Sequence, residues 1–398
     1  MNMNREKIVE YVDRQLGTYQ RIAREIHARP EVSNYEFFAC ETLSEQLRRE
    51  GFEVRTNVAG HRTGFDARYR SKKDGPVVVF LAEYDALGGL GHGCGHNLFG
   101  ATSALAAAAL RQAVDEVGGE VRVYGTPGEE GGENGSAKGS FVREGYLEDV
   151  DAALCVHPGA GEHYLTTRSL GCAPVDIEFW GKAAHAASSP QDGINALDGL
   201  ILTYNGLNAL RQHLTSDVRI HGVIVSGGDA PNIVPDYAKA KFYLRAATAP
   251  RLESVYQKAV RVVEGAAAMT GAKGRLQPYQ NRVENTVVTP SFDAIYQKHL
   301  EEFGEHVRPT TEQDEMGSSD VGNISQVVPT IQPHISICEA GVPAHSEAFR
   351  DAACSEKGLA SIALGAKVLA LTALDLLTDP DLLARIKAEH ARAVAEQE

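Results

Sequence analysis

Residues 77–85, Val77-Val78-Val79-Phe80-Leu81-Ala82-Glu83-Tyr84-Asp85, decide how the rest of the chain is read. Six apolar residues run without interruption and the first three are β-branched, which fits a strand buried on both faces better than one with a wet side. Burial on two sides requires helices above and below the sheet. The neighbouring sequence supplies them: 98–114 reads as an Ala-rich helix, 120–124 as the next strand and 152–156 as a third. Upstream, 5–28 and 36–50 read as amphipathic helices broken at Pro30. This alternation predicts an α/β fold with a mostly parallel sheet.

The pattern changes near Gly171. Residues 173–180 alternate, with Val175, Ile177 and Phe179 on one side, as a half-exposed strand should. A helix over 194–213, strands at 218–225 and 237–245, a helix at 251–270 and a strand at 275–287 complete a β-α-β-β-α-β order, the ferredoxin-like signature. Residues 171–288 therefore read as an α+β domain inserted into a larger one made of 1–170 and 289–398. The larger pattern resumes with a helix at 291–303, a strand at 330–337, a helix at 355–376 and a polar tail helix at 380–397.

Composition narrows the function classes. With 53 acidic against 39 basic residues the net charge is −14, which argues against nucleic acid or an anionic membrane as the main partner. No secretory signal is legible at the start, and the most apolar stretch, Ala101–Leu110, is about half the roughly 20 residues a membrane span needs. Six cysteines without framework spacing read as reduced thiols, hence a cytoplasmic protein.

The chemistry-bearing residues cluster at strand ends. After 77–82 come Glu83, Asp85 and the loop Gly91-His92-Gly93-Cys94-Gly95-His96; after 120–124 comes Gly125-Thr126-Pro127-Gly128-Glu129-Glu130-Gly131-Gly132; 152–156 ends in His157; 330–337 is followed by Ala344-His345-Ser346. Open α/β sheets hold ligands at the carboxyl ends of their strands. Singly, each piece has a plain explanation. A Cys-Gly-His can be structural, a Glu-Glu pair is usually a solvated loop, His157 could be a packed core histidine, and His345 could belong to a helix cap. Four such sets at four strand ends are hard to obtain by accident, and Cys, His and Glu are the ligand types of a divalent metal. Of the adjacent pair Glu129-Glu130, one can bind an ion while the other holds water. His92 has a weaker case for touching metal. His27, His213, His299, His306 and His390 lie in helical patterns and read as surface residues; His163, His221 and His334 have no case beyond packing. A dinucleotide loop, a P-loop and a Gly-x-Ser-x-Gly elbow are all absent as complete motifs.

Taken in order, Asp85-Ala86-Leu87, Gly93-Cys94-Gly95-His96, residues 125–132, His157, Gly181-Lys182-Ala183-Ala184-His185-Ala186, Pro231-Asn232-Ile233-Val234-Pro235 and Ala344-His345-Ser346 resemble the aminoacylase/carboxypeptidase G family of di-metal peptidases. Within it they are similar to the p-aminobenzoyl-glutamate hydrolase and Xaa-Arg dipeptidase-like amidohydrolases. The resemblance implies a catalytic domain plus an inserted dimerisation (lid) domain. It implies that Cys94, His96, Glu130, His157 and His345 hold one or two divalent ions and that Glu129 is the general base. It further implies that His185 reaches the partner subunit's active site, and that Asn232 and Arg245 meet the substrate's carboxylate end. Asp85 is then expected to orient a metal ligand. The sequence departs from many relatives where Glu83 stands in place of the first residue of a His-x-Asp strand, with His96 in the bridging position and Cys94 as an extra ligand. A thiolate favours Zn²⁺, with Mn²⁺ or Co²⁺ as alternatives. A second departure is Glu133, a candidate for favouring a cationic substrate or simply a solvated residue. Gly317-Ser318-Ser319-Asp320 is expected to line the pocket.

The expected activity is metal-dependent hydrolysis of a small N-acyl amino acid or dipeptide by a homodimer. Its rivals are a catalytically silent metal-binding relative that only forms dimers, and a carboxypeptidase acting on longer peptides.

Overall fold

Two helices, α1 (Asn2–Ala28) and α2 (Phe37–Arg49), open the chain. The computed structural model describes residues 2–311, 314 and 317–397. Ile8, Val12, Tyr19, Ile22, Ala23 and Ile26 recur at helical spacing and bury one face of α1. Then follow β1 (Glu53–Val58), β2 (His61–Arg70), β3 (Val77–Ala82), α3 (His96–Val117), β4 (Glu120–Gly125), α4 (Ala137–Arg143), β5 (Ala152–Leu154) and β6 (His157–Ala160). Val78 to Ala82 are fully buried, and α3 packs against both β3 and β4. The small side chains of Ala104 and Ala106–Ala109 let α3 lie buried on nearly every side.

The next elements form a separate unit, Leu170–Asn285. It holds β7 (Gly171–Trp180), α5 (Ala196–Leu210), β8 (Arg219–Ser226), β9 (Tyr237–Ala246), α6 (Ala249–Thr270) and β10 (Lys273–Pro278). All neighbours in its sheet are antiparallel, in the order β10-β7-β9-β8. Val175, Ile177, Phe179, Ala240, Phe242 and Leu244 form the inner face, buried with Leu200 and Leu207 of α5 and Leu252, Val255 and Val263 of α6. β7 is not half-exposed. It is buried along its length except at Trp180, because the outer face carries Asp176 and Glu178 in ion pairs with Lys239, Lys241 and Arg275.

The first unit resumes with α7 (Pro290–Glu302), α8 (Val321–Ser325), β11 (Thr330–Ile331), β12 (His334–Cys338), α9 (Glu347–Ala352), α10 (Glu356–Thr378) and α11 (Pro380–Ala395). Its sheet runs β1-β2-β4-β3-β5-β11, with β4, β3, β5 and β11 mutually parallel and β1 and β2 antiparallel at one edge. The stretch 330–337 is two strands, not one. Pro333 has no N–H for a ladder, and there the chain leaves β5 and pairs with β6 instead. α10 is long and apolar enough to cross a bilayer, but it is a core helix, mostly buried and packed against α3 and α1.

Two histidines expected at the surface are buried. His299 is held by Asp375 at 2.9 Å and Glu302 at 3.0 Å, and His390 Nε2 lies 2.7 Å from the Ser325 carbonyl oxygen. All six cysteines are unpaired.

Candidate metal centre

β3 delivers Glu83 and Asp85 to the carboxyl edge of the parallel strands, where both are buried. The chain then turns through 87–95 into α3. Gly95 carries φ 77°, and a Cβ there would stand 2.8 Å from the Pro158 side chain. Only glycine both adopts that backbone and lets Cys94 and His96, on either side of it, close against the start of β6. His157 is the first residue of β6. Its Nδ1 faces the Pro158 carbonyl oxygen at 2.7 Å, which leaves Nε2 directed at Cys94 Sγ, 3.6 Å away.

β4 ends at Gly125 and feeds the loop that carries Glu129 and Glu130. This loop is pinned by carboxylates from elsewhere in the unit. Gly128 N donates to Glu36 Oε1 at 3.0 Å, and Glu130 N donates to Asp85 Oδ2 at 2.9 Å. The other Asp85 oxygen stands 2.9 Å from His96 Nδ1, so His96 presents Nε2 to the interior of the site. His345 lies at φ 59°, a left-handed conformation that a non-glycine residue holds only when its surroundings impose it. Its N–H donates to the Gly93 carbonyl at 2.9 Å, and its Nε2 reaches to 3.5 Å from Glu130 Oε2.

Donor atoms thus converge in three overlapping groups: Cys94, His96 and His157; Cys94, Glu130 and His345; and His96, Glu129 and Glu130. Within each group the atoms lie no more than 4.8 Å apart. Ligands about 2.0–2.3 Å from a tetrahedral ion are separated by about 3.4–3.8 Å. The Cys94–His157 and Glu130–His345 separations already match. Glu130 Oε1 and His96 Nε2 are buried with no hydrogen-bond partner, as atoms suited to a cation would be. The donor set therefore fits one or two divalent ions.

Electrostatics agree. Burial pushes the Cys94 thiol up and takes His157 down to about 4. Burial also opposes a charge on His96, but the Asp85 carboxylate outweighs it and holds the imidazole well above its ordinary value. Burial, then the charges of Glu83 and Glu130, push Glu129 well up. Protons are held where a cation would otherwise supply positive charge.

Other expected residues fall elsewhere. His92 is buried behind the site, stacked on His27 with ring centroids 6.0 Å apart, and belongs to none of the three donor groups. Asp320 is fully buried, with Oδ1 2.5 Å from Lys138 Nζ. In the second unit His185 is exposed, with Nδ1 accepting from Ala187 N and Ser188 N. Asn232 is brought beside it, its carbonyl accepting from Ala186 N at 3.0 Å. Arg245 sits on β9 with Nε 3.3 Å from His221 Nε2. Two buried residues of the first unit, Glu36 and Lys138, carried no readable signal, because a single charged residue at the edge of a helix has no periodicity to betray burial.

The family profile "Peptidase family M20/M25/M40" matches residues 78–375. The chain is 31% identical to the Xaa-Arg dipeptidase of Mus musculus, across 100% of this chain and 94% of that protein. It is also 31% identical to a p-aminobenzoyl-glutamate hydrolase chain of Escherichia coli K12, across 95% of this chain and 93% of that one. A dinuclear metal-binding peptidase of the M20 family from Bacillus subtilis superposes with a TM-score of 0.66 at 20% identity, covering 91% of this chain and 99% of that one. The chain belongs to peptidase family M20/M25/M40. It is a hydrolase of amide or peptide bonds.

Proposed function

We propose that the protein is a metal-dependent amidohydrolase that cuts small N-acyl amino acids or dipeptides bearing a free carboxylate. The observation that carries this reading is the convergence of Cys94, His96, Glu130, His157 and His345 donors, with Glu130 Oε1 and His96 Nε2 buried and making no hydrogen bond, and Glu129 beside them. A bound ion supplies a Lewis acid that acidifies water and polarises the scissile carbonyl. Glu129 takes the proton of the attacking water and delivers it to the leaving nitrogen. Asp85 fixes His96 and Glu130 through its two oxygens, which holds ligand geometry while charge redistributes. Thiolate and imidazole donors together favour Zn²⁺, with Mn²⁺ or Co²⁺ as alternatives.

In this reading the second unit supplies substrate contacts. Two backbone N–H groups donate to His185 Nδ1, so the ring proton sits on Nε2, free to donate to a carbonyl oxygen as it becomes negative. Asn232 and Arg245 serve the carboxylate. The unit also mediates dimerisation, bringing His185 to the partner's site. β8 supports this: it is an edge strand with Val223, Ile224 and Val225 all exposed, a surface that a second copy of itself would cover. The names of both curated relatives point to substrates ending in a single amino acid, arginine or glutamate.

A hydrolysis screen of dipeptides and N-acyl amino acids, with Zn²⁺, Mn²⁺ and Co²⁺ added separately to stripped protein, tests the reading. It expects ion-dependent cleavage of one class. Cleavage that survives chelation, or binding of the ions with no cleavage of any member, would contradict it.

A further inference from the structure

Lys138 is the second residue of α4, just after the loop that bears Glu129, and its side chain is wholly buried. Its Nζ lies 2.7 Å from Glu83 Oε1 and 2.5 Å from Asp320 Oδ1, and both carboxylates are also fully buried. Its backbone N donates to the second Asp320 oxygen at 3.1 Å. The cluster thus ties together the end of β3, the start of α4 and the start of α8. The remaining Glu83 oxygen faces His96 Nε2 at 3.2 Å, outside hydrogen-bond geometry.

Fold stability alone does not call for such a cluster. Replacing a buried ion triad with apolar residues of similar volume is often neutral or stabilising, because desolvating three charges offsets their attraction. Its location is more informative. The loop from 128 to 138 is held at Gly128 by Glu36, at Glu130 by Asp85 and at Lys138 by Asp320, so each anchor is a buried or half-buried carboxylate from a different part of the unit. Without the cation, Asp320 would be a buried charge with no counter-charge and Glu83 would keep only the His96 ring opposite it, so neither Glu83 nor the end of the loop would keep its place.

We infer that Lys138 is a positioning residue for the amide hydrolysis: it clamps the end of the base-bearing loop to Asp320 and aims Glu83 at the ring of His96. The inference rests on the proposed roles of Glu129 and His96, and Lys138 itself touches neither substrate nor ion.

The test compares wild type, Lys138→Met and the double variant Lys138→Met/Asp320→Asn, each loaded to saturation with Co²⁺. The double variant removes one positive and one negative charge together, so it keeps the cluster's net charge and guards against misfolding of the single one. Bound-metal stoichiometry, visible absorption of the Co²⁺ protein, and kcat and KM on the fastest dipeptide of the screen are read for each. Expected are unchanged stoichiometry, a shifted Co²⁺ spectrum, a fall in kcat of about 10–100-fold and a KM within about twofold, as for other residues that orient a metal ligand. A double variant with wild-type kcat and spectrum would overturn the inference, as would a loss confined to KM. A lower melting temperature with full activity per bound ion would overturn it too. Glu129→Gln run in parallel separates the two levels: if it stays active, the base assignment fails whatever Lys138 does.

Discussion

Asp85 and His96 stand as a fixed pair, Oδ1 to Nδ1 at 2.9 Å, both fully enclosed, while the second Asp85 oxygen accepts the Glu130 N–H. One carboxylate therefore sets both the ring plane of one proposed ligand and the backbone of another. Asp85→Asn would keep the size but not the pattern of acceptors. Its oxygen can serve His96 or Glu130 N, and its NH₂ must then oppose a donor at the other. The expected result is a loss of metal affinity or turnover of about 10–100-fold, read by chelator competition and by kcat. An Asn variant with unaltered affinity and rate would show that the pair is not needed.

Ion binding should release protons. The Cys94 thiol and the His96 imidazolium both hold protons in the ion-free protein, because burial disfavours the thiolate and the Asp85 charge favours the imidazolium. Both protons must leave for these atoms to coordinate. Affinity should therefore rise with pH, for as long as these groups still hold their protons in the ion-free protein. His157, already down at about 4, adds nothing above about pH 5. Calorimetry in buffers of different ionisation enthalpy counts the protons released; a count of zero would contradict the assignment.

Asp293, buried at the start of α7, has its carboxyl raised to about 7 by burial, against the donors of Thr166 and with a further push from Glu389. Its folded value lies above the unfolded one, so the folded state holds the proton more tightly. The linked stabilisation is full below about pH 4 and is lost as pH rises through 7. Asp293→Asn removes that titration, and since Thr166 N and Oγ1 both donate to Asp293 Oδ1, an amide oxygen can replace it. The variant should gain about 1–3 kcal/mol relative to wild type at pH 8, and much less at pH 4.5, in urea unfolding. An equal difference at both pH values would refute the linkage.

His185 tests the proposed arrangement in trans. His185→Ala and Glu129→Gln should each be inactive while keeping their ions. Mixed by dissociation and reassociation, they would form dimers in which one site combines an intact Glu129 with the partner's intact His185, and activity would return. No recovery from mixed dimers of proven composition would place His185 in its own subunit's site or outside the chemistry.

Much of this architecture was legible because burial leaves a pattern. The apolar run of β3 announced a strand covered on both sides, and the helical spacing of Ile8, Val12, Tyr19 and Ile22 announced α1. The errors arose where polar groups are buried in pairs. β7 looked half-exposed because Asp176 and Glu178 alternate with apolar residues, yet Lys239, Lys241 and Arg275 cover them. β1 and β2 went unread, since β1 is an edge strand that is mostly exposed and β2 buries His61, Thr63 and Asp66 among its apolar residues, so neither shows a continuous apolar run. His299 and His390 looked solvated because a single histidine on a helix does not reveal its acceptor. The site divides in the same way. Cys94, His96, Glu130, His157 and His345 stand out by residue type at strand ends, and Asp85 by proximity. Glu36 and Lys138 depend on partners distant in sequence, which only the fold brings into reach.

The central claim is that Glu129 moves the proton of a water activated at this donor cluster. Glu129→Gln preserves shape and leaves Cys94, His96, Glu130, His157 and His345 in place. Bound metal and kcat should be measured on the same preparation. The account predicts wild-type ion content with a fall in kcat of about 10²–10⁴-fold; wild-type ion content with near-normal kcat would contradict it.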